Sequence, residues 1–223
     1  LHDQVWLIGV DGGKSFLHRV APTTGHVTTM DLTWGATQLA AHRQGLLACS
    51  AFGDAARPGL YTLSAAGVFG QALRYEPIYR VYATEDHIAI MGDGDHEDGG
   101  RLAMLDPTTF AERWATQTGN LHLALSNQDV AHVAAEDPRC VVLRNATNGV
   151  SRWQSLPLER EIMSIEIAAG YVFVWGKIND VVLRLTDGHV VHHGRIPNAV
   201  AEHQQKAFLV EHELTCWNPA ANP

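Results

Sequence analysis

Two stretches of the chain, Asp106-Pro107-Thr108-Thr109-Phe110-Ala111-Glu112-Arg113-Trp114 and Asn145-Ala146-Thr147-Asn148-Gly149-Val150-Ser151-Arg152-Trp153, read alike. Each opens on a short polar side chain that can close on nearby backbone, passes through turn-forming residues, and reaches a tryptophan at the same offset. The two indoles stand 39 residues apart. A third stretch, Ala21-Pro22-Thr23-Thr24-Gly25-His26-Val27, keeps the Thr-Gly pair without the tryptophan. Each turn lies between two short runs rich in β-branched and apolar residues. The runs that precede the later turns end at Leu63, Leu105, Arg144 and Leu185, giving intervals of 42, 39 and 41 residues by subtraction.

Around these anchors a unit of four short strands repeats. Strands are expected at 39–42, 46–50, 60–63 and 71–75, then at 78–83, 87–91, 101–105 and 111–116. The pattern returns at 121–125, 130–134, 140–144 and 151–155, and again at 162–167, 171–175, 181–185 and 190–193. An N-terminal piece (5–10, 16–20, 27–32) lacks the first strand of the unit, and a C-terminal piece (199–203, 207–211, 214–217) lacks the fourth. Four strands per ~40 residues is the period of a β-propeller blade. A β-sandwich also spaces its strands closely but has no reason to repeat its turn chemistry in phase. The reading is therefore all-β: a β-propeller of four-stranded blades, about six in number, with five blades or part of a larger ring as alternatives. Residues 1–223 form one domain in this reading, with repeats at approximately 1–35, 36–77, 78–119, 120–160, 161–197 and 198–223.

The turns resemble the quinoprotein-like (PQQ-like, WD40-like) propeller repeat, whose signature is D-x-x-T-G-x-x-x-W. The resemblance implies that Trp114 and Trp153 dock neighbouring blades while Thr and Gly shape the turn. The chain departs from the pattern at Phe110, where the repeat has Gly, and at Asn148, where it has Thr. The units at 64–67 and 186–188 read as a residue or more short and carry no tryptophan, and the G-H and W-D pairs of WD40 repeats are missing. Dehydrogenases of the family are larger rings that cap a quinone and coordinate calcium, whereas non-enzymatic relatives use loops and rims for assembly. No cofactor is expected here.

Composition agrees with a packed domain: 46% hydrophobic, 18% charged, 20 Gly and 9 Pro. No apolar run approaches the ~20 residues of a membrane helix, so no membrane insertion is expected. A net charge of −8 argues against sequence-independent nucleic-acid binding and leaves a basic protein partner open. Cys49, Cys140 and Cys216 are far apart, without zinc or disulfide spacing. Their odd number favours the cytoplasm over the periplasm.

Three groups of residues are candidates for function. First strands of propeller blades line the axis, which assigns Gln38, Arg80, Tyr82, His122, Ser164 and Glu166 to a polar channel able to take a small ligand, or simply to wet its walls. The loop 93–100 concentrates Asp93, Asp95, Glu97 and Asp98, a contact surface for a basic partner. Asp93, Asp95 and Asp98 also have the alternation of a calcium loop, but Asp98 occupies the place of the turn glycine and Met104 the place of the bidentate glutamate. His192 and His193 point to opposite faces of a strand and cannot together chelate one metal. Asp11-Gly12-Gly13-Lys14-Ser15 has phosphate-loop composition but reads as a hairpin turn. No nucleophile motif is present. The functional expectation is a non-catalytic binding or assembly module, either a scaffold subunit or an immunity-type inhibitor of a basic toxin. The alternative is an enzyme or small-ligand binder working through the channel residues.

Overall fold

The repeated turn is one device built four times among the described residues. In a computed structural model of the chain, the first residue of each turn accepts a hydrogen bond from the N–H of the fifth and donates to the carbonyl of the sixth. The pairs are Ala21 with Gly25 and His26, Asp106 with Phe110 and Ala111, Asn145 with Gly149 and Val150, and Arg184 with Gly188 and His189, all at 2.8 to 3.0 Å. The fifth residue must then take a left-handed backbone: φ is 67° at Gly25, 58° at Phe110, 73° at Gly149 and 71° at Gly188. Asp106 and Asn145 reinforce their turns by accepting through Oδ1 from the second and third N–H groups beyond them. Arg184 cannot accept, and there Asp187 takes over, receiving the His189 N–H and pairing with the Arg184 guanidinium. The 184–189 turn is thus full length, which corrects its reading as a shortened unit. The turn at Ser64 is short: its N–H reaches Val68 O directly, and its hydroxyl accepts from the Ala66 and Val68 N–H groups.

The structure describes residues 5–11, 14–32, 36, 38–43, 45–50, 58–64, 66, 68–74, 77–93, 100–196, 199–203, 206–210 and 214–216, with backbone alone for 10, 11, 14, 71, 93 and all those beyond 198. Every element among them is a strand, 22 in all. The chain divides into two compact units, Leu1–Thr116 and Gln117–Pro223.

In the first unit, β1 (Val5–Asp11), β2 (Lys14–Val20) and β3 (Val27–Leu32) make a three-stranded sheet. Its first hairpin pairs Asp11 with Lys14, as the Asp-Gly-Gly-Lys turn requires. A four-stranded sheet follows from β4 (Gln38–His42), β5 (Gly45–Ser50), β6 (Gly59–Leu63) and β7 (Phe69–Arg74). Another comes from β8 (Ile78–Ala83), β9 (Ile88–Asp93), β10 (Gly100–Leu105) and β11 (Glu112–Thr118). In the second unit, β12 (Leu123–Leu125), β13 (Asp129–Val133), β14 (Val141–Asn145) and β15 (Ser151–Gln154) form one sheet. The strands β16 (Ile162–Ala168), β17 (Tyr171–Gly176), β18 (Val181–Arg184) and β19 (Val190–His193) form the next. A three-stranded sheet of β20 (Ala199–His203), β21 (Lys206–Val210) and β22 (Leu214–Cys216) ends the chain. Among the described residues each strand pairs with its neighbour in sequence, and the registers are antiparallel.

Middle strands read as unbroken apolar runs because both of their faces are buried between sheets. On β5, Leu46 and Ala48 join Leu17 and Leu32 of the first sheet, while Leu47 and Cys49 join Ile78, Val81, Ile88 and Ala103 of the third. In the second unit Val133, Val141 and Leu143 pack against Ile165, Val172 and Val174, while Phe173 on the opposite face packs with Val182 and Ile196. Outer strands such as β15 and β19 have no such double cover, and none of their residues is fully buried.

Trp153 closes the junction between the fourth and fifth sheets. Its Nε1 donates to Leu185 O at 2.8 Å, and its ring lies over Gly188 so closely that a Cβ there would come within 2.8 Å of it. Where the second sheet has no turn tryptophan, Leu73 and Phe110 instead pack on the cluster shared by the second and third sheets. A left-handed phenylalanine costs about 1–3 kcal/mol, which burial of its ring offsets.

Two buried polar side chains of the second unit are bound on both sides. His132, 1% exposed, bonds Val133 O through Nδ1 and accepts the Arg144 Nε–H through Nε2. Burial, with Arg144 beside it, depresses its pKa to about 4 against a backbone hydrogen bond and Glu136 that act the other way. Asp180 receives the N–H groups of Gly176 and Ile196 on its two oxygens, fastening the end of β17 to the segment after β19.

Two outcomes are expected. Gly188→Ala meets both a left-handed backbone and an indole and should lower stability by about 1–3 kcal/mol, whereas Gly45→Ala, at φ 136° with open space around it, tests the backbone cost alone; urea midpoints separate the two. His132 has a folded pKa below its ordinary 6.5, so the unfolded chain binds a proton first and stability is lost as pH falls from 6.5 toward about 4. The loss is of the order of 3 kcal/mol, and His132→Gln should flatten that part of a stability-versus-pH curve.

Candidate functional site

The channel candidates other than His122 occupy first strands. In the first unit, Gln38 on β4 is half-buried and its Oε1 accepts from Val81 N on β8 at 3.1 Å. Its amide is thereby a tie between adjacent sheets. Arg80 on β8 is exposed and Tyr82, two residues on, is half-buried. In the second unit His122 lies just before β12 rather than on it, and its backbone N–H is held by Asn120 Oδ1, while Asn120 Nδ2 reaches Ile162 O of β16. Ser164 and Glu166 face solvent on β16, alternating with buried Ile165. Glu166 is nonetheless partly desolvated by the protein around it, which raises its carboxyl pKa above the ordinary glutamate value.

Asp95, Glu97 and Asp98 lie outside the described residues, and of Asp93 only the backbone at the end of β9 is described. Trp114 is half-buried on β11 at the offset expected from its turn, as Trp153 is on β15. Among the described residues no set of three His, Cys, Asp or Glu side chains is placed to hold a metal.

A feature that the sequence reading passed over lies wholly in the second unit, along the junction that Trp153 seals. The linker after β15 stays fastened to the start of β14: Ser155 N donates to Val141 O, Ser155 Oγ accepts from Val141 N, and Leu158 N donates to Arg139 O, all at 2.8 to 3.0 Å. This anchoring turns Leu156 outward, 85% exposed. Opposite stands the 184–189 turn. Between them runs a groove of about 770 Å³, with Leu156, Pro157 and Leu158 on one wall and Gly188, His189 and Val190 on the other. The charges on the turn side are internally paired, Arg184 with Asp187 at 2.9 Å.

At Glu159 the groove meets a smaller hollow of about 260 Å³ lined by Arg139, Glu159, Arg160, Glu161 and Lys177. Arg139 is engaged by both oxygens of Asp137, and Glu159 receives Asn179 Nδ2 at 2.7 Å. Lys177 N donates to Glu161 O, joining the linker to the loop after β17. The only sequence signal for this region is the apolar Leu156-Pro157-Leu158 run in a connection between blades, followed by alternating charges.

No family model matches the chain, and no curated protein is similar to it in sequence. Solved structures are similar in fold. Hsv2 from Kluyveromyces lactis superposes with a TM-score of 0.67 at 9% identity, covering 97% of this chain and 70% of that one. Kluyveromyces marxianus Hsv2 gives 0.64 at 10% identity, covering 92% and 70%. BamB from Moraxella catarrhalis gives 0.51 at 11% identity, covering 92% and 81%. Hsv2 is a β-propeller and BamB a PQQ-like one. Among the described residues no helix is long and apolar enough to cross a membrane. With antiparallel four-stranded sheets repeated along its length and propellers as its structural neighbours, the chain is an all-β propeller of about five to six blades.

Proposed function

We propose that the protein is a non-catalytic binding or assembly module, its 223 residues serving as one propeller domain that presents rim loops to another protein. One observation carries this reading: Leu156 stands 85% exposed on a linker that backbone hydrogen bonds hold in place. A solvated leucine beside a groove that Pro157, Leu158 and Val190 also line is where a partner would gain by covering apolar surface. The structural neighbours support the reading only through the fold they share. The acidic segment Asp93, Asp95, Glu97 and Asp98 adds a second contact, to a basic patch, in keeping with the net charge of −8. Such a module serves as a scaffold subunit or as an immunity-type inhibitor that covers a basic toxin.

A second reading, an enzyme or small-ligand binder acting through Gln38, Arg80, Tyr82, His122, Ser164 or Glu166, is favoured by the raised Glu166 carboxyl, since perturbed acids concentrate at sites of chemistry. Its sign is testable. A raised folded pKa means that stability is lost as pH rises from the ordinary glutamate value through the folded one. Glu166→Gln should therefore stabilise the protein at neutral pH if the residue is merely confined, and should abolish any ligand-induced rise in Tm if it binds.

The deciding experiment is crosslinking and affinity capture from the native host with three variants. Under the binding-module reading, reversing Asp95, Glu97 and Asp98 to lysine releases the captured protein, while Arg80→Ala and His122→Ala leave it bound. Capture of nothing by the unaltered protein overturns the reading.

A further inference from the structure

We infer that the open edge of β1 is a docking site for an extended segment of a partner protein, which adds to the first sheet as an antiparallel fourth strand. The inference rests on the binding-module reading and names the form in which the partner binds. In the first sheet the 21–26 turn follows β2, as the 106–111 turn follows β10, the third strand of its own sheet. That makes β1 the counterpart of the second strands β5, β9, β13 and β17, each of which carries a first strand on its other side. Among the described residues β1 has β2 on one side and no strand on the other.

Hydrogen-bond parity decides what that edge offers. Ala21 N donates to His26 O, so these two residues are a hydrogen-bonded pair, and counting back by twos assigns the backbone groups of Arg19, Leu17 and Ser15 to β3. Val20, His18 and Phe16 therefore bond β1, through Val5, Leu7 and Gly9. The N–H and C=O groups of Trp6, Ile8 and Val10 are left pointing to the open edge at alternate residues, a row that only another extended backbone matches. Nothing on β1 repels such a guest. Edges are ordinarily blunted by charge or proline, as by Asp31 on β3, Arg74 on β7, Arg80 on β8 and Glu112 on β11. From Val5 to Val10, β1 has neither. Val5 and Leu7 are 45% and 52% exposed on one face. On the other, Trp6 and Ile8 lie half-buried against the cluster that holds Leu17, Leu46 and Leu63, and Trp6 Nε1 is buried there without an acceptor among the described residues. The chain's own first strands set the chemistry of the guest: β8 has buried Ile78 and Val81 with exposed Arg80, and β16 has buried Ile162 and Ile165 with exposed Ser164. The segment recognised is therefore a short run of apolar residues interleaved with polar ones.

The test uses the 223-residue chain and synthetic peptides of the β8 and β16 sequences, Ile78–Ala83 and Ile162–Ala168. In the chain alone, amide hydrogen exchange should be about tenfold faster at Trp6 and Ile8 than at Leu7 and Gly9, and saturating peptide should slow the first pair to the rate of the second. Equal protection before peptide is added overturns the inference. Each peptide is also made with N-methyl groups on its odd or on its even residues. One of these versions meets β1 with blocked amides and should bind about tenfold more weakly, while the other keeps its affinity; loss in neither or in both overturns the inference. Ile8→Pro removes an edge amide without touching the bonds of Leu7 and Gly9 to β2, and should weaken the unmodified peptides by a similar factor, with circular dichroism to verify folding. Slowing of the same amides by protein concentration alone, with dimers in sedimentation, gives the edge to a second copy and overturns the inference. Host capture separates its failure from that of the module reading: a captured partner that excess peptide does not displace refutes the strand site and leaves the module standing, whereas neither capture nor peptide binding refutes both.

Discussion

The structure depends on sheets being stacked through both of their faces, and the contact of Trp153 with the turn of the next sheet shows what that demands. An indole can lie across the junction only where the neighbouring turn has no side chain in its way, and Gly188 provides that space with the left-handed backbone the turn needs anyway. The indole N–H then closes on Leu185 O, so the ring is buried without an orphaned donor. One turn geometry therefore performs two tasks: it reverses the chain between the third and fourth strands and it receives the bulk of the adjacent sheet. Phe110 is the exception that clarifies the rule, since there the turn itself supplies the bulk.

Face-to-face stacking also explains the polar interior. A strand covered on both sides has no solvent for its polar side chains, so each must find a partner nearby. His132 does so between Val133 O and Arg144, Asp180 between two backbone amides, and Gln38 and Asn120 by reaching the backbone of the adjacent first strand. Asp129, 1% exposed, lies 3.0 Å from the Arg152 guanidinium, and burial raises its pKa against that attraction. Gln38 and Asn120 thereby tie adjacent sheets, while His132, Asp180 and Asp129 are bound within their own. At the outer edge, by contrast, Leu156, Arg160 and Lys177 are exposed.

Much of the architecture was legible in the chain because a packing constraint recurs in it. The number of strands, their order and most of their bounds follow from apolar runs punctuated by turn residues, and 78–83, 190–193 and 199–203 agree to the residue. His122 was misplaced because β12 is only three residues long, its lead-in being held by Asn120 instead of by a strand partner. The turn at 184–189 reads as short in the sequence because the apolar run ends at Leu185, whereas the folded turn already begins at Arg184, with Asp187 receiving the His189 N–H. The candidate surface was harder to see. Leu156-Pro157-Leu158 looks like any apolar connection until the bonds from Ser155 and Leu158 show which way it is turned.

The sequence by itself determined the period, the all-β character and the placing of Trp114 and Trp153 on the strands after their turns, because local backbone preference and strand burial leave their mark residue by residue. Tertiary structure alone decided which side chains meet. Residues 139, 160 and 177 are separated by whole strands in the chain, and they line one hollow only because successive antiparallel strands return connecting loops to the same edge. A charge cluster assembled from three different loops has no spacing rule that a linear reading can follow.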